Sequence, residues 1–562
     1  MVKIADVLVG IDVGGTFTDA VAVRGGEIVA AAKAPTEPAH LDRSLLGALD
    51  GVLADVAPAD VARVSLSTTL ITNLLAQGHL PPVALLLLPG PGRDPTALIL
   101  PGRVWTIGGA VDFRGREIEP VDRVALEAAL KDIHAAGYRH VAVVGKFSPR
   151  NPGHEQLAAG RARQVDCAWR VRAGHTVAGQ LNFPRRAAAT ALMLAIEEPY
   201  RTFFEQMRAA LAERGLACPI VILKADGGTL PLDAAEREPL QSIFSGPAAS
   251  TMGALALRSK GATSVVVDVG GTTTDLALIL DGEPLFASKG AAVGGFLLPT
   301  RAFAVDSLPV GGDSTVIVQD GRVLLLPTRA GVAACLGGPA PTLTDALRVL
   351  DRSDWGDLER ARAALAPLGD PETVAAGVVE QALARIEAAI AAMFRAWQRE
   401  PVYRLWELRQ KGARRPDVVV GIGAAAEPLA PALAERLGVR VLIPPYAPVA
   451  NALGAAVART TFTTTVHIDT ERRRVEIAEA GAVQEWLREH TTLDHARQVA
   501  REWLVRQGTD LGIEDPLADA VEVLAEQFNV VEGWRTVGRI FDVRMERRCG
   551  LAPEWRYPQD ER

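Results

Sequence analysis

The sequence predicts an α/β protein made of two similar domains facing each other across a cleft, followed by a smaller α+β domain. Three observations lead there. The octet DVGGTFTD at 12–19 returns as DVGGTTTD at 268–275, identical at all but one position and 256 residues further along. Strand-forming runs flank both copies, so each reads as a strand, a glycine turn and a second strand. Repetition at so long a period means a pair of domains and not a solenoid, whose repeats are tens of residues long. The third observation is a change of composition beyond about Thr460, where Thr, Arg and Glu alternate.

Each element follows in chain order. VLVGI before Asp12 and AVAV after Asp19 are the first hairpin, and SVVV before Asp268 and LALI after Asp275 the second. Between them, apolar spacing predicts helices over Leu41–Val56 and Val124–Ala136, and VALLLL at Val83–Leu88 reads as a buried strand. Pro89–Arg116 is rich in Pro, Gly and Arg, and the stretch from there to Arg172 reads as an insertion before a helix at Arg185–Glu198. A long helix is expected at Val374–Trp397, then a polar break at Gln410–Asp417, then the strand DVVV, the turn GIGAAA and a helix to Leu437. The last part should hold a charged helix, Val483–Gln507, and strands within Val521–Met545. The expected domains are therefore 1–190 with an insertion near 89–172, then 191–460, then 461–562.

Composition narrows the function. The chain has 562 residues, 48% hydrophobic and 23% charged, as in folded multidomain proteins and unlike disordered ones. A net charge of −7 offers no attraction to nucleic acid or to an anionic membrane surface. Four cysteines lie far apart without a CxxC pair, which argues against a disulfide framework or zinc knuckle and fits a reducing cytoplasm. No run approaches the length of a membrane span, and acidic residues interrupt the N-terminus early, so a soluble cytoplasmic protein is expected.

The chemistry sits on the repeat. Gly14 and Gly15, and again Gly270 and Gly271, allow backbone N–H groups to approach a phosphate where a β-carbon would obstruct. Thr16 and Thr272 add hydroxyl donors, and Asp12 and Asp268 at the strand ends are placed to hold Mg²⁺ through water. One Asp-Gly-Gly turn is ordinary hairpin chemistry, but two near-identical copies point to one nucleotide clamped between them. A GxxxxGK[ST] loop is missing. Gly421-Ile-Gly423-Ala424-Ala-Ala imitates a dinucleotide fingerprint, yet the next strand, Val439–Pro445, carries no acid for a ribose, so an adenine or ribose contact is expected in place of NAD. His154 and Glu155 read first as a helix-entry turn, Cys335 as a buried structural thiol, and the nine histidines show no metal-binding spacing.

The paired loops and the later glycine turn resemble those of the acetate-kinase, sugar-kinase, Hsp70 and actin superfamily. In more detail, GIDVGGTFTD, LSTTLITNLL, NPGHE, LKADGG, SIFSGPAAS, VVDVGGTTTDLAL, VGGDST, PTLTDAL, GIGAAAEP and ANALGAA fall in the order found in the hydantoinase A and 5-oxoprolinase family, which includes the acetone carboxylase ATP-binding subunit among its relatives. The resemblance implies two ribonuclease-H-like domains around a nucleotide cleft, with Gly311 and Gly312 also at the cofactor. It implies an ATP- and Mg²⁺-dependent subunit that phosphorylates the carbonyl oxygen of a small cyclic or secondary amide, or bicarbonate or an enol in the carboxylase branch. A hydantoinase-B-like partner would complete a hetero-oligomer. Thr68, Thr69, Thr72 and Asn73 are the candidates for the substrate wall. A switch without a small substrate, like the chaperone or reactivase branch, is the alternative from another class. The chain departs from the family pattern at Leu66, Leu194, Asp313 and the Gly423-Ala424-Ala425 run.

Overall fold

The computed structural model describes residues 5–556 except 38–39, 78–79, 93, 95–97, 258–260, 401–414, 487, 489 and 554. Each copy of the repeat builds the centre of one sheet. Val7–Val13 pairs antiparallel with Phe17–Arg24, and Ser264–Val269 pairs antiparallel with Thr274–Leu280. The register is the same in both: Asp12 lies opposite Asp19, and Asp268 opposite Asp275. On its other edge each first strand takes a parallel neighbour, Val61–Thr68 in the first sheet and Val418–Ile422 in the second. These strands are apolar almost throughout because helices cover both faces of each sheet.

Both sheets have cores of their own, Val9, Ile11, Leu45 and Phe204 in one, Val265, Val267, Val378 and Leu429 in the other. A third cluster takes Val21 and Val23 from the first sheet and Val266 and Val420 from the second, so the two units share a core. The helices Ser245–Leu257 and Ala450–Val457 run through this shared layer. A β-carbon on Gly253 would collide with the Ala450 carbonyl oxygen, one on Gly454 with that of Ala249, and one on Gly10 with that of Ala452. Backbone therefore lies directly on backbone at the crossing, which is why Ala249, Gly253, Ala450 and Gly454 are all small.

Several expectations need correction. The helix expected at Arg185–Glu198 spans Phe183–Glu213, passing the boundary set at 190 and continuing through Pro199. Tyr200, Phe203, Phe204, Met207 and Leu211 are buried beyond the proline, and that packing outweighs its preference to end a helix. Ile220–Leu223 and Thr229–Pro231 then complete the first sheet, so its territory extends past 230. The insertion begins earlier than 89, because Val83–Leu88 pairs with His140–Gly145 and Arg103–Thr106 in a separate parallel sheet that ends at Ala173. The first helix stops at Leu53, short of Val56. Residues 410–414 of the expected polar break lie outside the described residues.

The final unit is a five-stranded antiparallel sheet beginning at Phe462, under the helix Leu493–Asp510. That helix starts ten residues later than the sequence suggested. Val483 belongs to the strand Ala482–Glu485, and Thr492 forms a capping box with His495 that sets the true start. Arg114 pairs with Asp469 at 2.7 Å and Arg150 with Glu476 at 2.7 Å, tying the insertion to this sheet. Among the described residues no helix is long and apolar enough to cross a membrane.

Candidate functional site

Both turns close alike. Gly14 N donates to the Phe17 carbonyl oxygen at 3.1 Å, and Gly270 N to that of Thr273 at 2.9 Å. None of the four turn glycines has positive φ, so backbone conformation does not require glycine there. A β-carbon on Gly271 would stand 2.7 Å from Asp313 Oδ2 and 2.9 Å from Thr16 Oγ1, whereas one on Gly15 would meet nothing within 4 Å. Thr16 of the first turn thus lies against Gly271 of the second, and the backbone of Gly15 borders open space. Thr272 is exposed.

Behind the turns, four carboxylates gather. Asp12 is 5% exposed and Asp268 8%. Burial pushes the Asp12 carboxyl up to about 7, with the charges of Asp19 and Asp268 adding to it. Asp275 is likewise pushed up to about 7 by burial and by the charge of Asp268, and burial raises Asp19 and Asp268 as well. Lys33 pairs with Asp19 at 2.5 Å. Asn451, at the start of the crossing helix, donates from Nδ2 to Asp268 Oδ2 at 3.0 Å. Asp12 Oδ1 and Asn451 Oδ1 are buried acceptors without a hydrogen-bond donor. A buried cluster of oxygen acceptors, two of them without a donor, suits a hard divalent cation that keeps its water. Among the described residues no three His, Cys, Asp or Glu side chains are grouped to ligate a metal directly.

The other expected site residues fall into two groups. Gly311 and Gly312 are buried supports of the second turn: Gly312 N donates to Gly270 O at 2.9 Å and Asp313 N to Gly271 O at 2.7 Å. A β-carbon on Gly311 would come within 2.5 Å of Gly271 O, and one on Gly312 within 2.7 Å of Thr344 Oγ1. Gly421 lies in the strand Val418–Ile422, where a β-carbon would stand 2.7 Å from Ala430 Cβ of the next helix. Gly423 has φ +82 and faces the Asp268 carboxylate, and Ala424 beside it is half-buried. Its left-handed backbone and the neighbouring Asp268 carboxylate each require glycine at 423.

Thr68, Thr69 and Thr72 stand where the first sheet meets the helix Leu70–Gln77. Thr68 Oγ1 accepts from Leu70 N, Thr69 Oγ1 donates to Val13 O, and Thr72 Oγ1 donates to Thr69 O. Their hydroxyls fix the chain next to the first turn. The side chain of Asn73 lies outside the described residues. Glu155 is fully buried, accepting from Gly145 N and His175 N at 2.7 Å each, inside the insertion. Cys335 is buried and its thiol is pushed up to about 12 by burial and Asp345, which leaves no thiolate to act as a nucleophile.

The sequence reading missed Asp19, Asp275 and Asn451. The first two were visible as the last letter of each repeat, and Asn451 as part of ANALGAA.

Models of the hydantoinase/oxoprolinase N-terminal region and of hydantoinase/oxoprolinase match residues 8–166 and 186–464. The chain belongs to the hydantoinase/oxoprolinase family. Among proteins of this kind it is 29% identical over 375 residues to the caprolactamase subunit alpha of Pseudomonas jessenii, covering 60% of this chain and 53% of that one. With the acetophenone carboxylase gamma subunit of Aromatoleum aromaticum it shares 25% over 391 residues, covering 61% and 53%. It thus spans about half the length of either relative. The fold is that of a nucleotide-free acetone carboxylase structure, with a TM-score of 0.70 at 19% identity, and of the ATP-dependent caprolactamase of P. jessenii, with 0.68 at 21%; each covers 98% of this chain and 88% of the other.

Proposed function

We propose that this hydantoinase/oxoprolinase chain binds Mg-ATP between its two glycine turns and phosphorylates the carbonyl oxygen of a small cyclic or secondary amide. It would do so as one subunit of an ATP-dependent amide hydrolase, with a hydantoinase-B-like partner completing hydrolysis. The observation that carries this reading is the undonated, buried Asp12 Oδ1 beside Asp268, directly behind two facing turns. A buried carboxylate oxygen left without a donor is costly unless a cation offsets it.

In this reading Asp12 and Asp268 hold the hydrated ion, Asn451 orients Asp268, and Lys33 neutralises Asp19. Bound Mg²⁺ would supply charge neutralisation for the phosphates. The amides of Gly15, Thr16, Gly271 and Thr272 and the hydroxyls of Thr16 and Thr272 hold the polyphosphate in line with the acceptor oxygen, and such positioning supplies most of the catalysis in phosphoryl transfer. The amide oxygen forms a bond to the terminal phosphorus as ADP leaves. Thr68, Thr69 and Thr72 line the approach to the first turn, where that amide would lie.

A carboxylase role, with bicarbonate or an enol as the phosphoryl acceptor, is the second reading, favoured by the 25% identity to a carboxylase subunit. Calorimetric titration of Mg-ATP, followed by phosphate release with lactams, hydantoins, bicarbonate or ketones in the presence of candidate partner chains, separates the two. Turnover indifferent to every small substrate but raised by a protein client would reject both in favour of a nucleotide-driven switch.

A further inference from the structure

One side chain spans the two turns. Arg329 ends the strand Arg322–Arg329, part of the second unit. Its guanidinium lies 3.1 Å from Asp313 Oδ2 through Nη2 and donates from Nη1 to Thr16 Oγ1 of the first turn at 3.2 Å. Nε donates to Gly331 O at 3.3 Å. Arg329 keeps 28% of its side-chain exposure while Asp313 keeps 10%, so the fork lies over the two turns with one side open to solvent.

Asp313 is out of place for a phosphate site. Its Oδ2 stands beside Gly271, at a turn whose amides would cradle anions, and a carboxylate there repels phosphate unless a cation neutralises it. Arg329 supplies that cation. Its bond to Thr16 is long and goes to a neutral hydroxyl, a weak partner for a guanidinium compared with a phosphate, whose oxygens match the fork in charge and geometry.

We infer that Arg329 is a phosphate-binding residue of this cleft, parked by Asp313 and Thr16 until a nucleotide polyphosphate enters and takes over its Nη groups. The inference rests on the reading that nucleotide binds between the turns. Asp313 then acts as a positioning residue that sets the affinity by competing for the same guanidinium.

Isothermal titration of the full chain with the magnesium complex of a non-hydrolysable ATP analogue, and with AMP, tests this. Arg329→Ala should weaken the triphosphate by about tenfold or more while leaving AMP unchanged. Asp313→Asn should tighten the triphosphate, and the gain should vanish when Arg329→Ala is also present. An equal loss for AMP and triphosphate would make Arg329 a structural brace and overturn the inference. A gain from Asp313→Asn that survives in the double variant would mean simple charge repulsion and overturn it too. Should Arg329→Ala not fold, Arg329→Lys carries the same comparison, with an intermediate loss expected. Absence of any nucleotide binding by the wild-type chain would instead remove the cleft reading on which this one stands.

Discussion

The two turns differ at one residue in eight, and the structure treats them differently. Around the second, the backbone from Gly311 to Asp313 donates to the carbonyls of Gly270 and Gly271, and Gly271 is wedged between Asp313 and Thr16. Around the first, Gly15 faces nothing, and the residue that breaks the identity, Phe17, is 41% exposed beneath Lys33. The second turn is braced at its glycine and the first is open at Gly15. Near-identical sequence has fixed the same hairpin twice, while the surroundings decide what each glycine is for.

The largest expected effect comes from what the turns share. Asp12→Ala or Asp268→Ala should lower magnesium-dependent ATP turnover by about two orders of magnitude or more, with an unchanged circular dichroism spectrum. Wild-type turnover in both variants would remove the metal-holding role from either copy.

The glycines should break the symmetry. Gly271→Ala forces Asp313 or Thr16 to move and should cost about 1–3 kcal/mol of folding stability, read from denaturant melts. Gly15→Ala meets no atom in the folded chain, so it should leave stability within about 1 kcal/mol and weaken Mg-ATP binding instead. Equal stability losses for the two variants would erase the distinction between braced and open.

The charged state of Asp12 sharpens the comparison further. With its carboxyl near 7 in the folded chain against 3.8 when unfolded, the folded state holds a proton that the unfolded state has lost between those values. Metal-free stability therefore falls as pH rises through that window. Asp12→Asn lacks this penalty and should be more stable than wild type by on the order of 2–4 kcal/mol above pH 7. The advantage should fade below about pH 4, and thermal melts in a chelator at both ends check it; a difference independent of pH would count against it. The smallest effect is expected from Phe17→Thr, which makes the turns identical in sequence. It removes an exposed ring 5.1 Å from the Lys33 ammonium and should change stability by less than about 1 kcal/mol in the same melts.

Much of this site could be read from the chain alone, and the limits have physical causes. Asp12, Asp268 and the four turn glycines were legible because a tight hairpin is specified locally and occurs twice. Asp19 and Asp275 required the strand register that sets them opposite Asp12 and Asp268. Gly421 and Gly423 suggested a ligand because strand-to-helix turns use glycine both for cofactors and for close packing; the contacts to Ala430 and Asp268, which show a packing requirement at both, could not be read from the chain. Arg329 reaches Thr16 from more than 300 residues away, and no local pattern announces a contact of that separation. In the fold, Pro199 and the strand at 83–88 misled for a similar reason, since buried aromatics and a distant parallel partner overrode local signals.

The helix crossing at Gly253 and Gly454 acts as a mechanical datum for all of this. Where main chain rests on main chain there is no side-chain cushion to be repacked, and drift elsewhere in the sequence cannot be absorbed or expressed at that point. The same contact carries Asn451 and, through Gly10, the strand that ends in Asp12. Sequence change around the two turns can therefore accumulate while Asp12 and Asn451, the partner of Asp268, keep a common reference.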